Sequence, residues 1–170
     1  KNSSMPHYNS LSQRSTKNQG SALKSDDIIL LDFGARVDGY CADMTRMIFV
    51  GKPKSKWLRA YNAVLEAQEA TLKTIQTNRS GKTIDQSARD VLAKSEFPTY
   101  PHSLGHGVGL DIHEAPRLTI HQDAILVPAM VVTIEPGIYL TGHFGIRIED
   151  LVHVTDSGIE VLSKSTKDIV

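Results

Sequence analysis

At 170 residues the chain has the length of one domain, enough to bury a sizeable core. Lys plus Arg and Asp plus Glu balance at 19 each, so charge recommends neither nucleic acid nor an anionic membrane as a partner, and no apolar run approaches the roughly 20 residues of a membrane span. The one cysteine, Cys41, rules out an internal disulfide and agrees with a reducing, cytoplasmic setting; the opening KNSSMPHYNS shows no secretory leader.

Residues 1–26 are polar, rich in Ser, Asn, Gln and Lys, and read as a loop or an extended hairpin region. Asp27 to Gly34 (DIILLDFG) is an apolar run of strand length; Val37-Asp38-Gly39 supplies a turn, and Tyr40 to Val50 returns as a second strand. This hairpin sets Asp32 and Asp43 on neighbouring strands, where a cross-strand spacing near ~5 Å lets both carboxylates reach one site. Cys41, in the second strand, reads as a small buried hydrophobe. Ser55 to about Gln76 is a helix, with Leu58, Tyr61, Leu65, Leu72 and Ile75 at helical spacing and Ser55 as N-cap. Asn78 to Gly81 ends it. Thr83-Ile84-Asp85-Gln86 then has the form of a capping box for a second helix, with Ile84, Ala88, Val91 and Leu92 on its apolar face. Strands follow around Ser103–Leu110, Met130–Leu140, Gly145–Val154 and Ile159–Leu162, with Asp156-Ser157-Gly158 as the last hairpin turn. Early helices and late strands predict a single α+β domain over residues 1–170 with a curved antiparallel sheet.

Five potential metal ligands lie along this plan: Asp32 (LLDFGA), Asp43 (CADMTRM), His106 (LGHGVGLDIHE), Glu135 (TIEPGIY) and Glu149 (GIRIED). Four carboxylates and one imidazole form a hard, oxygen-rich set. Two divalent ions cancel the four negative charges, whereas one would leave two of them uncompensated in a low-dielectric pocket. Asp32 lies between Leu31 and Phe33, a poor place for an unpaired charge, and Gly105 and Gly107 let the backbone at His106 come close to bound ions. Taken singly, each has an ordinary reading: Asp caps turns, and a lone His packs or faces solvent. As core ion pairs, Glu135 and Glu149 would need several buried cations, and Arg46 and Arg147 meet only part of that demand. His121, His143 and His153 lie outside these segments and read as surface or structural. Together the five predict a dinuclear metallohydrolase.

In this order the five segments resemble the pita-bread metallopeptidases, in the Xaa-Pro branch that contains aminopeptidase P and prolidase. The eleven-residue step from Asp32 to Asp43, the Arg147-Ile148-Glu149 tripeptide and the run His102, His106, His113 carry the resemblance, which extends from about Pro6 to the C-terminal strand. It implies the pita-bread (creatinase/aminopeptidase-like) fold and a site for two divalent ions, with Mn²⁺ expected and Co²⁺, Zn²⁺ or Fe²⁺ able to substitute. Asp32 would chelate one ion, Asp43 and Glu149 would bridge, and Glu135 would share its ion with His106 and relay a proton. His102 and His113 would face the scissile carbonyl and its tetrahedral intermediate, with Tyr139 nearby. Thr45 and Arg147, on the strand faces of Asp43 and Glu149, would orient carboxylates beside the substrate. Arg117, in HEAPR, would hold a substrate carboxylate. His7, in MPHYNS, resembles a histidine that closes over the substrate, although it precedes Asp32 by 25 residues, longer than the family spacing.

The activity implied is hydrolysis of the Xaa-Pro bond at the start of peptides with proline in second position, by an aminopeptidase or a dipeptidase, in a protein that is homo-oligomeric at full length. Methionine aminopeptidase shares the five ligand types, but EPGIY and RIED favour the Xaa-Pro branch. A non-catalytic pita-bread binding module is the other alternative; such relatives lose ligands, and all five stand here. The family's first half begins upstream of the Pro-His segment, so the resemblance predicts an N-terminally truncated catalytic domain. Such a piece is not expected to act as a self-sufficient monomer, and the helix face around Leu58, Leu65 and Leu72 is expected to be uncovered.

Overall fold

The computed structural model describes residues 22–77 and 79–169. Most of the polar opening, His7 included, lies outside the described residues. The elements run β1 (Ile28–Val37), β2 (Tyr40–Phe49), α1 (Ser55–Thr77), α2 (Gly81–Leu92), β3 (Gly105–Gly107), β4 (Glu114–Leu118), β5 (Val131–Ile134), β6 (Gly137–Leu140), β7 (Phe144–Arg147), β8 (Asp150–Val154) and β9 (Ile159–Val161).

The first hairpin is set by its turn. Asp38 and Gly39 both take positive φ, 52° and 89°, the backbone that an Asp-Gly pair accepts readily and that matches the twist of the flanking strands. The register that follows pairs Val37 with Tyr40, Gly34 with Asp43 and Asp32 with Thr45. Residues directly opposite share a face, so Asp32, Asp43 and Thr45 all point to the same side of the hairpin. Gly34 is required in this ladder, because a Cβ there would lie 1.9 Å from the carbonyl oxygen of Ala42.

Both helices form where expected, with corrected starts. Ser55 is the first residue of α1 rather than its cap; the Lys54 carbonyl accepts from the amides of Trp57 and Leu58. In α2 the cap is Ser80, three residues before Thr83, and its Oγ accepts from the Thr83 amide at 3.1 Å. Helix α1 buries Trp57, Ala60, Tyr61, Val64, Ala67 and Ile75, so small residues on this face let it approach the sheet closely. Leu58, Leu65 and Leu72 are half-buried at the margins, and the latter two pack on the core, so the helix face expected to be bare is largely seated. Exposed apolar surface lies instead on the outer face of the β1–β2 hairpin, at Leu31, Phe33, Val37, Tyr40 and Ile48.

The late strands build a five-stranded antiparallel sheet in the order β4-β3-β5-β8-β9 and a separate β6–β7 ribbon. Each of two long stretches expected as one strand divides in two. Residues 130–140 break at Glu135-Pro136, where proline has no N–H to continue the ladder, and residues 145–154 break at Ile148-Glu149. At these breaks the chain leaves the large sheet for the ribbon and then returns. A single backbone rung, Glu149 N–H to the Thr45 carbonyl at 3.2 Å, ties the second break to β2. Both glutamates therefore sit where the three sheets meet. The core behind them joins Val132, Ile134, Ile146 and Val152 to Val64 and Ile84 of the helices. Among the described residues no helix is long and apolar enough to cross a membrane.

Candidate metal centre

The meeting point of the sheets gathers all five predicted ligands. Their donor atoms form three groups, each with every atom within 4.8 Å of the others: Asp32, Asp43 and Glu149; His106, Glu135 and Glu149; and Asp43, His106 and His113. Glu149, Asp43 and His106 each belong to two groups. The five positions come from β1, β2, β3 and the two inter-sheet breaks, so no short stretch of sequence could assemble them.

Two threonine relays aim the glutamates. The His106 amide donates to Thr133 Oγ1 at 3.0 Å, and that hydroxyl donates to Glu135 Oε1 at 3.1 Å. Likewise Arg147 Nε donates to Thr45 Oγ1 at 3.0 Å, and Thr45 donates to Glu149 Oε2. Each relay occupies one oxygen of its carboxylate. Thr45 is fully buried, and it orients Glu149, whereas its place on the strand had suggested Asp43.

His106 is held in one tautomer. Its Nδ1 lies 3.0 Å from the Gly107 carbonyl, which can only accept, so Nδ1 carries the proton. In the neutral ring Nε2 then presents its lone pair 3.4 Å from Glu135 Oε1 and 3.9 Å from Asp43 Oδ2. An imidazole nitrogen and two carboxylate oxygens converging in this way form a donor set that suits a divalent ion. The carboxylates report the same convergence. Burial, and then the Asp43 charge, push Glu149 up to about 7. Burial, and then Glu149, push Glu135 well above the usual carboxylate range. Among the described residues Arg147 is the cation that offsets this, 3.9 Å from Glu135 and 4.0 Å from Glu149, while its Nη2 donates to Asp32. Burial disfavours its charge, but Tyr139 and the two glutamates outweigh that and hold it protonated. One guanidinium against four carboxylates leaves the charge deficit that divalent ions would fill, and hard oxygen donors with one imidazole suit such ions.

The remaining predicted residues lie around this set. His113 packs its ring on that of His106, centroids 4.4 Å apart, and lines a cleft of about 450 Å³ with Asp32, Phe33, Asp43 and Ile112. Arg117 is exposed on β4, directly across the strand pair from His106. His102 is placed differently from the expectation that it faces a substrate oxygen as a donor. Its Nδ1 donates to the Ser103 carbonyl at 2.7 Å, so Nε2, 3.0 Å away, accepts from the Tyr139 hydroxyl. Burial, aided by the charges of Arg147 and Arg89, lowers its pKa to about 4 and keeps it neutral. Burial in turn raises Tyr139 to about 12, with Arg147 opposing.

Two buried networks escaped the sequence reading. Asp85 on α2 is fully buried and accepts from Tyr100 Oη (2.6 Å), Arg89 Nε (3.0 Å) and the Ile120 amide (2.8 Å), and Arg89 donates to the Tyr100 and His102 carbonyls. The Asp85–Arg89 spacing of four residues is the only trace of this in the sequence. The second network pairs Arg46 with Asp150 across 2.8 Å beside Glu149. The sequence signal there was the acidic residue following Glu149.

With the geometry in place, a match to the sequence profile of metallopeptidase family M24 over residues 1–156 decides the family. The chain belongs to metallopeptidase family M24. An M24 relative in Mycoplasma genitalium, a putative Xaa-Pro aminopeptidase, is 44% identical over 168 residues, 97% of this chain and 45% of that protein. The Xaa-Pro dipeptidase of Pyrococcus furiosus is 39% identical over 149 residues, 87% of this chain and 43% of the relative. The crystal structure of the X-Pro aminopeptidase from Thermotoga maritima MSB8 superposes with a TM-score of 0.82 at 40% identity, covering 86% of this chain and 42% of that one. The α+β architecture is thus the pita-bread fold of M24, and the chain spans less than half the length of the relatives it matches.

Proposed function

We propose that this chain carries the metal centre of a peptidase that hydrolyses the Xaa-Pro bond at the N-terminus of peptides, using two divalent ions, with manganese expected. The observation that carries the reading is the overlap of the donor groups: Glu149 is shared between the group of Asp32 and Asp43 and the group of His106 and Glu135, as a bridging ligand must be. The substrate class is the one that the similar proteins suggest, an Xaa-Pro dipeptidase and a putative Xaa-Pro aminopeptidase. Bound there, two ions would lower the pKa of water toward neutrality and polarise a carbonyl.

The chain's own residues supply the rest. Asp32, Asp43 and Glu149 would hold one ion, and His106, Glu135 and Glu149 the other. Glu135 Oε1 is bonded to Thr133, so Oε2 is the oxygen that takes up a proton and returns it to the leaving nitrogen. His113, on the cleft wall, donates to the scissile carbonyl as negative charge develops there. His102 orients the Tyr139 hydroxyl by accepting from it, and Arg147 donates toward the same oxygen at 3.5 Å. Exposed Arg117 stands on the strand beside His106 to meet a substrate carboxylate. Cys41 is a half-buried free thiol on the cleft wall, in keeping with a reducing cytoplasm.

The test is metal analysis and peptide hydrolysis by the full-length protein. Two ions per site, loss of activity on chelation and preference for Xaa-Pro over Met-Xaa peptides are expected. Undiminished hydrolysis by metal-free protein, or preference for Met-Xaa substrates, would refute the proposal.

A further inference from the structure

Asp150, next to Glu149, is fully buried, and Arg46 is 6% exposed, yet neither belongs to the metal centre. Arg46 uses all five of its N–H groups. Nη1 donates to the carbonyls of Thr45 (3.0 Å) and Glu149 (2.6 Å), the two residues joined by the inter-sheet rung. Nη2 donates to Asp150 Oδ1 (2.8 Å) and to the Ser165 carbonyl (2.9 Å), and Nε donates to Ser165 again at 3.3 Å. The other Asp150 oxygen accepts from Gln68 Nε2 at 3.0 Å and from Lys167 Nζ. The segment 163–168 thus supplies an acceptor for two of Arg46's donors and a second cation for Asp150. It is pinned along its length: Ser163 Oγ accepts from the Leu151 amide at 2.9 Å, Lys167 Nζ donates to Gln68 Oε1 at 2.7 Å, and Tyr61 Oη donates to the Lys167 carbonyl. These residues lie beyond the family match, which ends at 156.

We propose that residues 163–168 form a strap that positions the metal ligand Glu149, acting through Arg46 and Asp150. The inference rests on the dinuclear reading of the site. A guanidinium this deeply buried keeps its geometry only while every donor has an acceptor. Removing the strap strands two of them. The fork then turns toward water and releases the Glu149 carbonyl, and the carboxylate loses its fixed aim. Lys167 matters for the same reason, since its loss leaves the second Asp150 oxygen with the neutral donor Gln68 in place of a cation.

The experiment compares the full chain with Lys167→Met and with a chain ending at Leu162. Mn²⁺ affinity is measured by titration calorimetry, and amide exchange is followed at Glu149 and at Val132, a core position away from the strap. Binding should weaken by about tenfold or more on truncation, the range seen when groups that orient ligands are lost, and by a smaller factor in Lys167→Met. Exchange should accelerate at Glu149 and stay constant at Val132. A strap that merely stabilises the domain would lower the melting temperature and leave affinity in the folded state unchanged. If truncation prevents folding, Lys167→Met decides. A folded Lys167→Met chain with unaltered Mn²⁺ affinity and unaltered Glu149 exchange would overturn the proposal. A full chain that takes up no Mn²⁺ would overturn the metal reading instead, and exchange at Glu149 would then judge the strap by itself.

Discussion

Replacing Glu149 by Gln should stabilise the metal-free chain while destroying its capacity to be stabilised by metal. Gln keeps an oxygen to accept from Thr45 Oγ1 and removes the charge that burial and Asp43 resist. The Glu149 pKa of about 7 in the fold, against an ordinary 4.5, is a rise of 2.5 units. At 1.36 kcal/mol per unit the buried charge costs about 3 kcal/mol once fully ionised. A raised pKa means the native state holds its proton longer than the unfolded chain. Stability is therefore undiminished below about 4.5 and falls as pH rises to about 7. Chelator-treated Glu149→Gln should match the parent near pH 4.5 and exceed it at pH 8, by roughly 6–12 °C in melting temperature for a domain of this size. Adding Mn²⁺ at pH 8 should reverse the order, because only the parent retains the shared ligand. Calorimetric melts across this pH range, with and without metal, make the measurement. A metal-free Glu149→Gln chain that melts below its parent at pH 8 would show that the carboxylates are not crowded, and the case for cations at the site would fall with it.

Other substitutions probe the assignments separately. His113→Ala in the full-length protein should lower kcat by about 10²–10³-fold with metal content intact, whereas His106→Ala should lose metal; metal analysis beside peptide kinetics reads both, and the reverse pattern would exchange their roles. His102 titrates near 4 in the fold against 6.5 ordinarily, so the unfolded chain takes up its proton first, and stability is lost as pH falls from about 6.5 to 4. This slope opposes that of Glu149 over nearly the same interval, so it emerges as the difference between the parent and His102→Gln, about 3 kcal/mol at pH 4 by chemical denaturation. Ser80→Ala should cost about 1 kcal/mol through the lost cap of α2, and Thr83→Ala much less, in the same assay.

The five side chains that the fold brings together were legible because each candidate ligand sits in a local pattern that leaves it little other use: a charge inside an apolar strand, or a histidine between glycines. The hairpin register was legible because Asp38-Gly39 admits essentially one turn. Pro136 marked the break at Glu135-Pro136, but the one at Ile148-Glu149 was hidden, since no proline or glycine stands there and a strand that changes sheets keeps the same composition. Helix α1 was read from Leu58, Tyr61, Leu65, Leu72 and Ile75, of which Tyr61 and Ile75 are buried; close packing also buries Ala60, Val64 and Ala67, and small residues give little signal by periodicity. The Arg46–Asp150 pair joins residues far apart in the chain, the Asp85–Arg89 spacing looks like that of any surface pair on a helix, and nothing local marks an arginine that will be buried. His102 was recognised as part of the site, but its direction depends on the Ser103 carbonyl, which has no counterpart in the letters.

The rung between Thr45 and Glu149 has a mechanical consequence. Asp32 and Asp43 ride on the β1–β2 hairpin, and His106 rides on the large sheet, so any slippage between these two bodies changes the distances among the donors directly. Ions lodged between them would act as rivets, and the rung would be the seam they close. Filling the site should therefore make the hairpin's attachment to the rest of the domain much less prone to local opening, and a protease that cuts at the exposed Asp38-Gly39 tip would report this as slower nicking.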